Sequence, residues 1–388
     1  MSARLSGGDP ARADLDARVL DWIASWRGEP DAPEDEVRFD ALARDLFAFQ
    51  LERCAPWARF CAARGVTPER LASWRDIPPV PTASFKEIAL RSFPAEREVH
   101  VFRTSGTTGE RRGELHLDTL ALYDASVVPS FVAHVLPELA RADGRPARRL
   151  ALRALAPSPG EAPDSSLSHM FGVLLRRLAP QLDAARSGFD VRGGALTFEP
   201  LLAALESACV DDVPVALCGT AFAFVHLCDA LAARGVALAL PAGSRAFETG
   251  GFKARSRELT RAALRDAIEG ALGVPAERVV NQYGMTELAS QFHDSVLRFP
   301  RTPRRKLGPP WARVRIVDPA TGSDVSPGEV GVIVVVDLAS TGSVCAIQTA
   351  DLGLSREDGF EVLGRAEGAD ARGCSLGAEA LLVGDARA

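Results

Sequence analysis

Two short segments, far apart in the chain, carry side chains suited to holding a phosphorylated substrate. The first is Phe102-Arg103-Thr104-Ser105-Gly106-Thr107-Thr108-Gly109. Gly106 and Gly109 lack a Cβ, so the backbone can turn sharply and come close to an anion. Ser105, Thr107 and Thr108 each add a hydroxyl donor, and successive N–H groups in such a turn form an anion-binding concavity. Arg111 and Arg112 follow and would add positive charge. Gly109 is followed by Glu110, not by the Lys of a P-loop, and no clear G-x-G-x-x-G follows a strand. Taken alone, the segment also reads as an ordinary glycine–threonine turn. The second segment is Asn281-Gln282-Tyr283-Gly284-Met285-Thr286-Glu287. Tyr283 can lay a ring against a base, Gly284 allows close backbone approach, and Thr286 can donate to a phosphate oxygen. Glu287 can ligate Mg²⁺, which takes oxygen ligands from a few carboxylates and from phosphates. Its bland reading is a strand end, a loop, and a Glu facing solvent.

Together, in this order, the segments resemble the phosphate loop and the Y-G-x-T-E motif of adenylate-forming enzymes. Those enzymes activate a carboxylic acid with ATP, giving an acyl-adenylate and pyrophosphate. The resemblance implies ATP and Mg²⁺ as cofactors. It assigns ATP binding to Thr104, Ser105, Gly106, Thr107, Thr108, Gly109, Tyr283 and Gly284, catalysis to Thr286 and Glu287, and metal binding to Glu287. Downstream, Thr349-Ala350-Asp351 resembles the T-G-D segment whose Asp holds the ribose hydroxyls, with Ala350 in place of Gly. Gly364-Arg365 matches the G-R of the family's hinge. Ser168-His169-Met170-Phe171-Gly172 resembles the H-x-x-G segment bordering the acid pocket, to which Phe222 is also assigned. Phe171 and Phe224 would line that pocket or belong to the core.

After Arg365 about two dozen residues follow, too few for an independent core. That ending narrows the resemblance to the LuxE-type acyl-protein synthetases, which supply fatty acyl groups to a bioluminescence fatty acid reductase. The Y-G-M-T-E-L form, the Glu248-Thr249-Gly250-Gly251 block and Arg372-Gly373-Cys374-Ser375-Leu376 carry it. It implies ATP-binding roles for Gly250 and Gly251 and an acyl thioester on Cys374. Arg372 would favour the thiolate, the attacking form of a cysteine. Cys54, Cys61, Cys209, Cys218, Cys228 and Cys345 fall in apolar patterns and read as structural, and no Cys or His pairing has zinc spacing.

The elements that must position these residues follow from pattern and composition. The chain has 388 residues, 47% hydrophobic and 25% charged, with a formal net charge of -6. This is the composition of a globular protein, and it lacks the basic footprint of nucleic-acid binding. Met1 to Asp16 has no apolar signal core, Val213 to Ala233 is too polar for a membrane span, and seven cysteines suit a reducing cytoplasm. Richness in Ala, Arg and Gly suggests a bacterial source. Residues 10 to 75 read as amphipathic helices, with Leu15, Val19 and Ile23 on one face. Leu150 to Leu155, Val213 to Leu217 and Val236 to Leu240 read as strands alternating with helices, hence a largely parallel α/β sheet. A short strand over Pro275 to Val280 leads into the second motif. Val314 to Val317, Val330 to Asp337 and Val344 to Thr349 read as β-strands separated by turns. The fold class is therefore α/β with the large-domain architecture of adenylate-forming enzymes and a small β-rich subdomain. The expected division is an N-terminal helical region (1–98), a nucleotide- and acid-binding core (99–299), a β-rich subdomain (300–363) and a hinge and tail (364–388).

The function expected is ATP-dependent activation of a carboxylic, fatty acid, followed by transfer to Cys374 and on to a partner protein, a reductase or carrier. One alternative is a free-standing ligase that loads CoA or a carrier protein. Another is an inactive nucleotide-binding subunit.

Overall fold

The computed structural model describes residues 9–28, 33–105, 111–140, 149–250 and 259–365. The helices among them are α1 (Pro10–Ser25), α2 (Pro33–Arg53), α3 (Ala55–Ala62), α4 (Ala121–Val135), α5 (Ser166–Arg177), α6 (Phe198–Val210), α7 (Ala221–Ala233) and α8 (Arg261–Leu272). The strands are β1 (Val80–Pro81), β2 (His100–Arg103), β3 (Glu114–Leu117), β4 (Ala151–Pro157), β5 (Gly188–Arg192), β6 (Ala195–Leu196), β7 (Val215–Thr220), β8 (Arg245–Thr249), β9 (Val279–Tyr283), β10 (Phe292–Asp294), β11 (Lys306–Leu307), β12 (Ala312–Val317), β13 (Val330–Asp337), β14 (Ala346–Arg356) and β15 (Gly359–Arg365). No described helix is long and apolar enough to cross a membrane. The chain forms two compact units. One holds residues up to Pro129, Met285–Gln291 and the chain from Leu307; the other holds Ser130–Gly284 and Phe292–Lys306.

In the first unit, Asp9 caps α1 by accepting from the N–H groups of Ala11 and Arg12, and Pro10 starts the helix. Leu15, Val19, Trp22 and Ile23 are buried at helical spacing, as the sequence pattern predicts. Strands β12, β13, β14 and β15 form an antiparallel sheet, with β1 parallel to β14. Val330 to Asp337 is a strand over the whole stretch read from sequence. Separately, β2 and β3 make a hairpin in which Phe102 faces Leu115 and Arg103 faces Glu114. Phe102 is fully buried and packs on Tyr123 at 5.2 Å, which anchors the hairpin.

In the second unit, β4, β5, β7, β8 and β9 run parallel, with β10 antiparallel to β9 and β6 antiparallel to β5. Successive residues of a strand face opposite sides. Ala246 joins a core with Leu217, Phe224, Leu231 and Ile268, which seats α6, α7 and α8 on one face. Phe247 points to the other face, against Phe171 of α5 at 6.2 Å and Phe131 of α4 at 5.2 Å.

Two sequence expectations are corrected here. Val236 to Leu240 is not a strand. Its Leu238 and Leu240 N–H groups donate to the carbonyls of Ala271 and Leu272, so the run finishes the end of α8 instead of joining the sheet. The sheet position belongs to Arg245–Thr249, whose charged residues disguise it. Arg245 is buried because it donates to the Val135 carbonyl at 2.8 Å and pairs with Glu138 at 2.7 Å. Likewise Ala276–Arg278 is a turn of 3-10 helix, and the strand into the second motif begins at Val279.

Gly273 ends α8 at φ 66°, and a Cβ there would stand 3.1 Å from Ala239 Cα. Gly273→Ala should therefore lower unfolding stability by about 1–2 kcal/mol, the cost of a left-handed side-chain-bearing residue. Urea denaturation checks this. An unchanged midpoint would mean that the 236–240 run is not held by this helix end.

Candidate active site

In the first unit the hairpin presents Thr104 at the mouth of the glycine-rich segment. The Thr104 N–H donates to the Gly113 carbonyl at 2.9 Å, and the Gly113 N–H donates to Thr104 Oγ1 at 2.8 Å. Ser105 ends the described part of that segment. Gly106, Thr107, Thr108 and Gly109 lie outside the described residues. The arginines expected to lend charge there are engaged at the hairpin base. Arg112 donates to the carbonyls of Thr104 and Arg103, and Arg111 pairs with Glu87 at 3.0 Å.

The second motif ends in a turn, Leu288 N–H donating to the Met285 carbonyl at 3.2 Å, with Thr286 half-buried. Glu287 is not the solvent-facing residue of the bland reading; it is 7% exposed. Its Oε1 lies 3.4 Å from where a Cβ on Gly113 would stand, and the Thr104 methyl lies 3.1 Å from the same point. A glycine at 113 thus lets a hydroxyl-bearing Thr and a buried carboxylate converge. Glu287 is fixed from behind by Asp337 at the end of β13. That carboxylate accepts from the N–H groups of Ala289 (3.0 Å) and Ser290 (2.8 Å) on one oxygen. Its other oxygen accepts from Ser290 Oγ (2.7 Å) and the Ala339 N–H (3.0 Å). Burial pushes the Asp337 carboxyl above its usual range, and the bonds from Ser290, Ala339 and Ala289 oppose that shift.

Asp351 and Arg365 are brought together. They are cross-strand partners on β14 and β15, with Arg365 Nε 4.0 Å from Asp351 Oδ1. Asp351 stands within a strand, beside a register shift at Leu352/Gly353. Thr349, two residues earlier, shapes the site: its hydroxyl donates to the Ile333 carbonyl at 2.9 Å and accepts from the Asp351 N–H at 3.1 Å.

In the second unit, Gly250 follows β8 at φ 77° in open space, and Tyr283 ends β9 with its ring 6.4 Å from Phe292. Gly284 is half-buried, and Gly251 lies outside the described residues. A buried charge network supports both strand ends. Glu248 accepts from Asn281 Nδ2 at 2.8 Å, and Lys306 donates to the Asn281 carbonyl at 2.7 Å and to Asp294 at 2.8 Å. Burial raises the Glu248 carboxyl and lowers the Lys306 amine. Burial also raises Asp294, but Lys306 and Arg304 beside it hold the carboxyl below its usual range. His169 on α5 and Phe222 on α7 are half-buried, on helices seated on opposite faces of the sheet. Phe222 stacks edge-on to His226 at 4.3 Å, while Phe171 and Phe224 are fully buried in the core.

The acyl-protein synthetase profile LuxE matches residues 31–382. The chain belongs to the LuxE acyl-protein synthetase family. Membership makes it a ligase that activates acyl groups. A LuxE relative from Aliivibrio fischeri, long-chain-fatty-acid–luciferin-component ligase, is 22% identical over 333 residues, covering 84% of this chain and 80% of that protein. Among solved structures, an open conformation of 2-hydroxyisobutyryl-CoA ligase with 2-HIB-AMP and CoA matches with TM-score 0.59 and 17% identity, over 88% of this chain and 79% of that one. The same ligase in its postadenylation state also matches at 0.59, with 16% identity over 89% and 72%. The fold is the adenylate-forming one expected from the sequence.

Within this LuxE chain, sequence reasoning passed over Gly113 and Asp337. Gly113 had a signal, a glycine closing the hairpin nine residues after Thr104. Asp337 had only a weak one, an acidic residue ending an otherwise apolar strand. The cysteines divide cleanly. Cys54, Cys61, Cys218, Cys228 and Cys345 are buried and Cys209 is half-buried. Burial pushes the Cys61 thiol up to about 12 and Cys228 up to about 11, and raises the other four as well. Cys374 lies outside the described residues.

Asp337→Ala strips the acceptor from four donors. A buried donor left bare costs roughly 1–3 kcal/mol, so the variant should lose at least about 3 kcal/mol in denaturant unfolding. A wild-type midpoint would show that the end of β13 does not hold the Glu287 turn.

Proposed function

We propose that this LuxE-family protein activates a carboxylic, fatty acid with ATP and passes the acyl group through Cys374 to a partner protein. The observation that carries the first half is the convergence of Thr104 and Glu287 on Gly113. It puts a hydroxyl and a carboxylate at the mouth of a glycine-rich segment, within a chain whose family makes acyl-protein bonds. In the reaction, a carboxylate oxygen of the acid attacks the α-phosphorus of ATP, and the bond to the β-phosphate breaks to release pyrophosphate. Ser105 and the glycine-rich segment after it bind the phosphates, and Thr286 donates to the α-phosphate. Tyr283 and Gly284 lie along the base, Gly250 and Gly251 allow the backbone to approach it, and Asp351 accepts from the ribose hydroxyls, with Arg365 its strand partner. His169 borders the acid.

The donors around Gly113 are oxygens, which suits Mg²⁺. Among the described residues no group of three or more His, Cys, Asp or Glu is gathered as a metal site. Glu287 would hold the ion, with phosphate oxygens and water filling its shell. Once bound, the ion would neutralise charge on the departing pyrophosphate.

In the second half, the Cys374 thiolate attacks the acyl carbon of the adenylate, AMP leaves, and a thioester forms. The high thiol pKa values of the described cysteines support Cys374, because a thiol held protonated at neutral pH is a poor nucleophile. The thioester then passes to a nucleophile of the partner, a reductase or carrier protein.

Glu287→Gln keeps the side-chain shape but loses the charge. It should lower acid-dependent ATP–pyrophosphate exchange by orders of magnitude with little change in thermal unfolding. Exchange near the wild-type rate would remove Glu287 from the reaction. Cys374→Ser should retain that exchange and lose the hydroxylamine-labile acyl label on the protein, since a hydroxyl is far less ionised than a thiol. A Ser variant labelled as well as wild type would place the acyl acceptor elsewhere. If wild type is never labelled while CoA is consumed, the protein is a CoA-loading ligase.

A further inference from the structure

Helix α1 carries two buried charged residues in the first unit. Arg12 is 3% exposed and Asp16 1%. Arg12 Nε donates to Asp16 Oδ1 at 2.8 Å, and Nη2 donates to Asp118 Oδ1 at 3.2 Å. The Thr341 hydroxyl donates to Asp16 Oδ1 at 2.7 Å. The remaining guanidinium nitrogen, Arg12 Nη1, has no hydrogen-bond partner, and neither has the hydroxyl of Ser340, itself 6% exposed. Both residues line one small cavity of about 20 Å³, along with Tyr123, Ala289, Thr341 and Gly342. Buried polar atoms are rarely left bare in native proteins.

Size, charge and polarity each limit what can sit there. The cavity, about 20 Å³, is small enough that its occupant must be on the scale of water. Asp16 and Asp118 beside the guanidinium disfavour an anion, and the guanidinium disfavours a cation. The occupant must accept from an N–H and bond to a hydroxyl. We infer that the cavity holds a single buried water that accepts from Arg12 Nη1 and hydrogen-bonds Ser340 Oγ. The water joins α1 to the buried Ala339–Ser343 loop. Ala289, a wall of the same cavity, is the residue that Asp337 grips two positions after Glu287. The site is therefore a structural part of the support behind the Y-G-M-T-E turn.

A crystal structure of the full chain at a resolution that shows ordered water should contain one density peak within hydrogen-bond distance of both Arg12 Nη1 and Ser340 Oγ. An empty cavity overturns the inference. Ser340→Ala tests it in solution through the sign of the effect. If a water bridges the two residues, removing the hydroxyl deprives it of a partner and Tm should fall by a few degrees. If the cavity is dry, the hydroxyl is an unsatisfied polar atom, and its removal would leave Tm unchanged or raise it. Either of those results contradicts the bridge. Should the variant fail to fold, the wild-type density decides.

Discussion

One carboxylate organises the first unit. Asp337 sits where β13 ends, fully buried, and both its oxygens are saturated by donors from two separate stretches of chain. A buried charge is tolerated only when it is paired or fully hydrogen-bonded, so those stretches cannot drift from it independently. One stretch, Ala289–Ser290, is the direct continuation of the turn bearing Thr286 and Glu287. The other opens the loop that leads into β14 and, five residues into that strand, to Asp351. Trp311 adds a further tie, its indole N–H donating to Ser290 Oγ at 3.1 Å. The two motif carboxylates of this unit are thus referenced to one buried acid.

Around that acid the loop from Ala339 to Val344 acts as a polar hub. Gln50 of α2 donates to the carbonyls of Ser340 and Thr341 and accepts from the Cys345 N–H. Ser92 donates to the Thr341 carbonyl, and Ser343 donates to the Leu90 carbonyl. A loop of small polar residues can be buried only if its backbone groups find partners elsewhere, and here α2 and the segment before β2 supply them. The second unit solves a similar problem with charge. Glu248, Asn281, Asp294 and Lys306, with Arg304 on Asp294, form a connected set beneath the ends of β8 and β9. Such a set contributes little net stability against an apolar equivalent. Removing a single member would leave a buried charge uncompensated.

How much of this could be read from the sequence depended on whether a residue's environment resembled its type. Val330–Asp337 reads as a strand because its side chains are apolar and β-branched, and Leu15, Val19 and Ile23 declare a helix face by spacing. Thr104, Tyr283, Glu287 and Asp351 stood out in the sequence because a hydroxyl, an aromatic ring and carboxylates in those motifs suit the reaction proposed. The failures have a common cause. Arg245 and Glu248 are charged residues inside a central strand, and their partners, Val135, Glu138 and Asn281, come from distant parts of the chain. Val236 to Leu240 is apolar enough to pass for that strand, but its amides are drawn to the end of α8. Gly113 and Asp337 matter through what they allow and hold, and neither role leaves a pattern in the neighbouring residues. The burial of Glu287 was not legible either, because nothing nearby in sequence reveals the walls around it.

The pairing of Asp351 with Arg365 has a consequence for delivery. Arg365 is fixed by the sheet opposite the ribose-binding carboxylate proposed for Asp351, and Cys374 is nine residues further along the sequence. Even fully stretched, nine residues span at most about 30 Å. The thiol is therefore on a short leash whose anchor is part of the proposed nucleotide site. Tethered at that range, the acyl carrier proposed at Cys374 would meet its target at an effective concentration on the order of millimolar. The β14–β15 pairing would thereby set a local dose of the proposed nucleophile that no dilution of the protein can reduce, and a longer tether would weaken it without altering a residue of the proposed ATP site.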